Sequence, residues 1–149
     1  LALSCDLILA SNTASFALPE IRSGTVADAA SIKLPKRIPY HVAMDLLLTG
    51  RWFDADEAKQ WGLVREICEP GDLLDKAWEL ARHLASGPPL VYAAIKEVVR
   101  EAEDMRFQDA LNRVTKRQIA SVDRLYGSED LMEGQNAFTE KRDPVWKGR

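Results

Sequence analysis

Glu20 is the residue of this sequence whose surroundings best suit acid/base chemistry. It follows Leu18 and Pro19 at the end of an apolar segment and precedes an irregular stretch of small residues. A carboxylate in such a place can be half-buried and can exchange a proton with a bound molecule. The alternative interpretation is an ordinary solvated loop glutamate, and the residue pattern alone favours that alternative.

Few other side chains are candidates for chemistry. Asp28 lies further along the same stretch, where we predict that it is the N-cap of a helix beginning at Ala29. Lys141 and Arg142 could neutralise a phosphate, although charged neighbours such as Glu140 and Asp143 are equally typical of a solvated surface. His41 and His83 are far apart, and neither occurs in a metal-binding spacing, so no metal is predicted.

The elements that must position Glu20 are short strands. Apolar residues at 7–10 and 14–18 flank the polar turn Ser11–Asn12 and predict two buried strands. Residues 20–31 then form a loop that enters a helix. In open α/β folds, ligands bind where strands end and helices begin, which makes this loop the predicted site.

The rest of the chain is predicted to be mostly helical. A helix begins at Tyr40 and stops at Gly50, Asp54 and Glu57 form a capping box, and a short strand lies within Leu63–Cys68. Beyond residue 70, apolar stripes at helical spacing predict successive amphipathic helices. These stripes cover residues 73–84, 90–99 and 107–122, and Ser128 caps a last helix.

Composition excludes several classes of protein. The 149 residues are 46% hydrophobic and 29% charged, which suits an ordinary globular domain with a real core. A net charge of −3 disfavours nucleic acid as a partner, and no apolar run is long enough to span a membrane. The two lone thiols, Cys5 and Cys68, indicate a reducing compartment, and we expect a cytoplasmic protein. Because Leu1 is not a methionine and lies in an apolar run, we expect a piece of a longer protein.

Five short strings, in order along the chain, together resemble the crotonase, or enoyl-CoA hydratase/isomerase, family. The strings are residues 1–7, 15–21, 48–51, 58–64 and 133–142. The resemblance covers the whole chain. Residues 16–20 and 138–149 most resemble the branch of that family that acts as carnitinyl-CoA dehydratase, also called crotonobetainyl-CoA hydratase.

The resemblance implies an α/β fold in two parts. Residues 1–70 would be the C-terminal part of a spiral of ββα units, and residues 71–149 an α-helical trimerisation region. It also implies a homotrimer or hexamer that binds an acyl-CoA thioester and needs no further cofactor, since coenzyme A is part of the substrate.

The resemblance also assigns site residues. Glu20 matches the second of two glutamates that handle water and the α-proton, while the first would immediately precede Leu1 and the oxyanion-hole amides would lie further upstream. Pro19, Ala27 and Asp28 would line the acyl pocket. Phe138 and Lys141 match positions that hold the nucleotide end of coenzyme A, where a lysine suits a phosphate oxygen.

One segment departs from the family pattern. Residues 25–31 replace a proline and a glycine-rich run with alanine, serine and aspartate, which places methyl groups near the acyl pocket. A carboxylate at Asp28 could face a trimethylammonium acyl group. The alternatives are a short-chain fatty enoyl-CoA hydratase or isomerase, or a noncatalytic oligomerisation module.

Overall fold

Within residues 2–149, short strands occur only in the first half of the chain, whereas helices occur in both halves. The computed structural model describes residues 2–149. The strands are β1 (Leu9–Ser11), β2 (Ser15–Phe16), β3 (Phe53–Asp54) and β4 (Glu66–Cys68). The helices are α1 (Asp28–Lys33), α2 (Tyr40–Thr49), α3 (Ala55–Gln60), α4 (Leu73–Ala85), α5 (Pro89–Ala102), α6 (Phe107–Thr115), α7 (Ala120–Tyr126) and α8 (Glu129–Glu140).

The strands form two small pairs. β1 and β4 are parallel, with Ala10 opposite Ile67, and β2 and β3 are antiparallel, with Phe16 opposite Phe53. The predicted first strand and the strand within Leu63–Cys68 are thus confirmed, with shorter bounds. The predicted second strand is present as β2, but it has only two residues and, contrary to the prediction, neither is buried. Its Phe16 ring stacks on Phe53 at 5.3 Å between centroids and packs against the core.

The chain divides into two compact units, and the first ends at Leu80. Its core collects apolar side chains from β1 and β3, from α2 and α3, and from the segments just before α2 and just after α3. The buried members are Ala10, Leu34, Ile38, Ala43, Leu46, Phe53, Ala55, Ala58 and Val64. Half of the predicted capping box of α3 is confirmed, since the Asp54 carboxylate accepts a hydrogen bond from Glu57 N at 2.8 Å. The Glu57 carboxylate binds Arg51, at 2.7 and 3.0 Å, instead of reaching back to Asp54.

The second unit, from Ala81 to Arg149, packs helices around Ala94, Ile119 and Val122. One continuous helix over the apolar stripe at 107–122 was predicted, and this is wrong. The chain leaves α6 after Thr115, and Arg117 takes a left-handed conformation (φ 53°) before α7 begins. The Glu97 carboxylate accepts a hydrogen bond from Ser121 N at 3.0 Å in the first turn of α7. Contact with Ser121, first through its side chain and then through this N–H, lowers the pKa of Glu97, and the N–H bond stabilises the new helix start.

The division between the units lies inside α4, whereas the sequence-based boundary at residue 70 lies in the turn before that helix. A boundary inside a continuous helix has no turn residues to mark it, so the sequence pattern could not indicate it. Within residues 2–149, no helix is both long and apolar enough to cross a membrane.

Candidate active site

Glu20 lies in a short 3₁₀ helix, Pro19–Ser23, that starts just after β2. Pro19 occupies the first turn, where its fixed φ and missing N–H are both tolerated. The helix ends at Gly24, whose left-handed backbone (φ 73°) turns the chain away. Residues 20–23 were predicted as irregular loop, so the sequence located the segment but not its helical turn.

Hydrogen bonds converge on the backbone of Glu20. Its carbonyl oxygen accepts from Ser23 Oγ at 2.9 Å, from Thr25 N at 3.1 Å and from Thr25 Oγ1 at 3.2 Å. Such convergence fixes the peptide from which the Glu20 side chain projects. A positioned proton-transfer group needs this kind of support.

The Glu20 carboxylate itself is only partly satisfied. The residue is half-buried, and its Oε2 atom is buried with no hydrogen-bond partner in the described part of the chain. Buried polar atoms are nearly always paired, because an unpaired one costs free energy. An orphaned carboxylate oxygen on a well-anchored turn is therefore a candidate for contact with a ligand.

Gly50, at the end of α2, packs against the 3₁₀ helix that carries Glu20. Its backbone is left-handed (φ 59°), and a Cβ there would lie 2.8 Å from Ile21 Cγ2 and 3.3 Å from the Leu18 carbonyl oxygen. Only glycine lets α2 end this close to the Glu20 turn. Sequence reasoning identified Gly50 as a helix stop and missed this second role, for which the sequence gives no separate signal.

Pro19, Ala27 and Asp28 lie in the same loop-and-helix segment as Glu20. Pro19 is exposed and Ala27 is half-buried. The prediction that Asp28 is an N-cap is wrong: Ala27 is the N-cap of α1, and Asp28 is the first helical residue. At that position its carboxylate is exposed and favourably placed near the positive helix end. No hydrogen bond or ion pair within residues 2–149 uses it, so it is available to a cation.

Phe138 and Lys141 lie in the second unit, at the C-terminal end of α8. The Phe138 side chain is 87% exposed. Lys141 is exposed and forms the C-cap of α8 in a left-handed conformation (φ 55°, ψ 41°). An aromatic ring and an ammonium group within four residues can together bind a base and a phosphate.

Arg142 is engaged by carboxylates, unlike Lys141. Its Nη1 and Nη2 atoms donate to the two Glu133 carboxylate oxygens at 2.6 and 3.0 Å, and its Nε donates to Glu140 at 2.6 Å. The Arg142 contact is the main cause that lowers the pKa of Glu133 to about 2. Arg142 is thus already neutralised, and of the two basic residues considered for a phosphate, only Lys141 is free for one.

Metal chemistry has no support in the described residues. Across residues 2–149, no group of three or more His, Cys, Asp or Glu side chains is placed to hold a metal ion.

Comparison with known sequences gives a consistent result. The family pattern described as enoyl-CoA hydratase/isomerase matches residues 1–149. A carnitinyl-CoA dehydratase of Salmonella arizonae is 42% identical over 149 residues, which are 99% of this chain and 57% of that protein. A carnitinyl-CoA dehydratase of Citrobacter koseri is 41% identical over 150 residues, and the match covers 58% of its length. The chain therefore spans little more than half the length of these relatives.

Solved structures show the same fold. The enoyl-CoA hydratase of Mycobacterium tuberculosis H37Rv superimposes with a TM-score of 0.89 at 36% identity, over 99% of this chain and 57% of that one. The enoyl-CoA hydratase of Bacillus anthracis gives a TM-score of 0.88 at 32% identity, over 99% and 56% of the two chains.

Proposed function

The chain belongs to the enoyl-CoA hydratase/isomerase family, and from this we propose that its protein reversibly hydrates an enoyl-CoA thioester with Glu20 as a general acid/base. The observation that carries the proposal is the half-buried Glu20 carboxylate, whose Oε2 atom has no partner among the described residues. Its turn follows a strand and is fixed by hydrogen bonds to the Glu20 carbonyl.

The chemistry follows from what a carboxyl group can do beside a thioester. In hydration, the oxygen of water adds to the β-carbon of the enoyl group, and a proton is added to the α-carbon. We assign the proton transfer at the α-carbon to Glu20, and the reverse transfer during dehydration. Charge that develops on the thioester oxygen needs hydrogen-bond donors, which the resemblance places outside these residues.

We propose crotonobetainyl-CoA, or carnitinyl-CoA in the reverse direction, as the substrate. Two findings support this choice: the relatives named carnitinyl-CoA dehydratase at about 40% identity, and the unpaired Asp28 carboxylate. A carboxylate attracts the trimethylammonium group of this acyl chain, whereas an uncharged fatty acyl chain gains nothing from it. Pro19 and Ala27 would line the same pocket.

We further propose that Phe138 and Lys141 hold the nucleotide end of coenzyme A. Lys141 supplies a free ammonium group for a phosphate, and Phe138 supplies an exposed ring for the base. No cofactor other than the coenzyme A of the substrate is needed for this reaction.

We propose that the protein is a cytoplasmic homotrimer or hexamer. Helices beyond residue 70 leave large apolar side chains exposed, which supports assembly into an oligomer. Among the most exposed on these helices are Leu74, Val99, Phe107 and Met132. Exposed apolar groups on this scale are typical of surfaces that pack against other subunits. Light scattering on the purified protein would measure the oligomeric state.

The assay that tests this function compares two substrates on the full-length protein. Loss of enoyl absorbance is followed with crotonobetainyl-CoA and with crotonyl-CoA. We expect higher kcat/KM for crotonobetainyl-CoA. Faster turnover of crotonyl-CoA would favour a short-chain fatty enoyl-CoA hydratase instead. Movement of the double bond without hydration would favour an isomerase. Absence of both turnover and CoA binding would favour a noncatalytic oligomerisation module.

A further inference from the structure

Lys141 occupies a backbone conformation that favours glycine. Left-handed geometry is unfavourable for a residue with a side chain, because the Cβ approaches the following carbonyl oxygen. At two other helix ends the residue with this left-handed conformation is a glycine, Gly24 (φ 73°) and Gly50 (φ 59°). The other non-glycine residue with positive φ among the described residues is Arg117, whose guanidinium packs on the Tyr126 ring at 4.7 Å. The Lys141 side chain has no such contact within the described chain.

The residue after Lys141 anchors this unfavourable turn. Arg142 N donates to the Ala137 carbonyl at 3.1 Å, and its side chain is held by Glu133 and Glu140. The Glu133 carboxylate also accepts from Val145 N at 2.8 Å, and Arg142 Nη1 donates to the Asp143 carbonyl at 3.2 Å. The chain is thus tied to α8 on the C-terminal side of Lys141.

We propose that Arg142, held by Glu133, is a positioning residue that keeps Lys141 aimed at the phosphates of coenzyme A. This inference rests on the proposed function, because it takes Lys141 as a phosphate ligand. The carboxylates of Glu133 and Glu140 bind Arg142, and the Lys141 ammonium is left unpaired. Backbone strain of this kind persists only where surrounding contacts over-determine it, and the Glu133–Arg142 pair supplies those contacts.

The test separates nucleotide binding from the rest of the reaction. Dissociation constants for coenzyme A and for pantetheine, which lacks the nucleotide, are measured on the full-length protein and on Arg142→Ala. KM and kcat are measured with crotonobetainyl-CoA. We expect Arg142→Ala to weaken coenzyme A binding about tenfold and raise KM similarly, with pantetheine binding and kcat changed less than about twofold. Arg142→Lys, which keeps the charge but loses the paired hydrogen bonds, should recover part of the loss.

The matched control is Arg149→Ala in the same C-terminal segment. Arg149 makes a long, exposed ion pair with Glu129 (3.5 Å), at the opposite end of α8 from Lys141. We expect it to keep the coenzyme A preference. Equal loss in Arg142→Ala and Arg149→Ala would overturn the proposal, because the effect would then not belong to the Glu133–Arg142 pair.

A second variant addresses the strain directly. Lys141→Gly should keep or raise the thermal midpoint, because glycine adopts the left-handed conformation freely, yet it should lose the preference for coenzyme A. A lower midpoint would contradict the role assigned to strain. If the unmodified protein binds coenzyme A and pantetheine equally, both the phosphate role of Lys141 and the positioning role of Arg142 are wrong. If the unmodified protein prefers coenzyme A and Arg142→Ala retains that preference, only the positioning role of Arg142 is wrong.

Discussion

Ile21 packs directly against the α-carbon of Gly50. A Cβ at Gly50 would lie 2.8 Å from Ile21 Cγ2, closer than carbon atoms approach without repulsion. Ile21 is the neighbour of Glu20 in the 3₁₀ helix Pro19–Ser23. The end of α2 therefore sets the position of the turn that carries the proposed acid/base.

Replacing Gly50 by alanine should damage both stability and activity. The added methyl group meets Ile21, and the left-handed backbone disfavours alanine, so we expect a loss of about 2–4 kcal/mol in the free energy of unfolding. We expect kcat to fall as well, because the Glu20 turn must shift. Chemical denaturation and enoyl-CoA hydration assays measure the two effects.

Gly62→Ala is the matched control for that variant. Gly62 has a similar left-handed backbone (φ 79°), but an added Cβ would meet no atom within 4 Å. Gly62→Ala should lower the free energy of unfolding only by the cost of the left-handed backbone, about 1–2 kcal/mol, and should leave kcat unchanged. Equal loss of kcat in both variants would show that contact with the Glu20 turn is not the cause.

The elements that sequence reasoning located well are those with local signals. Tyr40–Thr49 ends at a left-handed glycine, and Asp54 and Ser128 cap their helices, as the residue types predicted. These features depend on neighbours a few residues apart. The break at Arg117 did not follow from local pattern, because the apolar stripe continues through it while Glu97, distant in sequence, caps the second helix.

The candidate site shows the same limit. The position of Glu20 after a strand could be predicted from the Leu18–Pro19 pair. The dependence of its turn on Gly50 could not, since thirty positions separate them and only tertiary packing joins them. Arg142 is exposed, as its charged neighbours predict, but its paired bonds to Glu133, nine positions away, could not be predicted from that pattern.

Asp28→Asn tests substrate choice. Removing the negative charge should lower kcat/KM for crotonobetainyl-CoA on the order of tenfold and for crotonyl-CoA by less than about twofold. Asp56→Asn is the control, since Asp56 is likewise an exposed acid in the first turn of a six-residue helix. Equal effects of Asp28→Asn on the two substrates would contradict the proposal that Asp28 recognises the acyl group.

The Glu133–Arg142 pair should survive mild acid. Folding lowers the pKa of Glu133 from 4.5 to about 2, through Arg142, the Val145 N–H and the nearby Lys147. Since the folded pKa is below the unfolded one, the pair stabilises the fold above pH 4.5, and this stabilisation is lost as the pH falls toward about 2. Carboxyl NMR titration should give a midpoint near the lower value; a midpoint near 4.5 would contradict the geometry.

Asp130 ties the C-terminal segment to α8. Its carboxylate is 3% exposed and accepts from Lys147 N at 2.7 Å and Gly148 N at 2.9 Å. Asp130→Asn replaces one acceptor with a donor and leaves a buried N–H unpaired, so we expect about 1–3 kcal/mol lower stability. Glu129→Gln, next to it but exposed, should change stability by less than about 0.5 kcal/mol. Denaturant titrations compare the two, and equal losses would contradict this role of Asp130.

Glu20→Gln tests the central claim most directly. The amide keeps the size of the side chain and removes proton transfer, so kcat for hydration of crotonobetainyl-CoA should fall by about 10²–10⁴ with coenzyme A affinity and the thermal midpoint unchanged. Glu79→Gln, an exposed carboxylate on α4, is the charge-matched control and should keep full activity. Undiminished kcat in Glu20→Gln would contradict the assignment of Glu20 as the general acid/base.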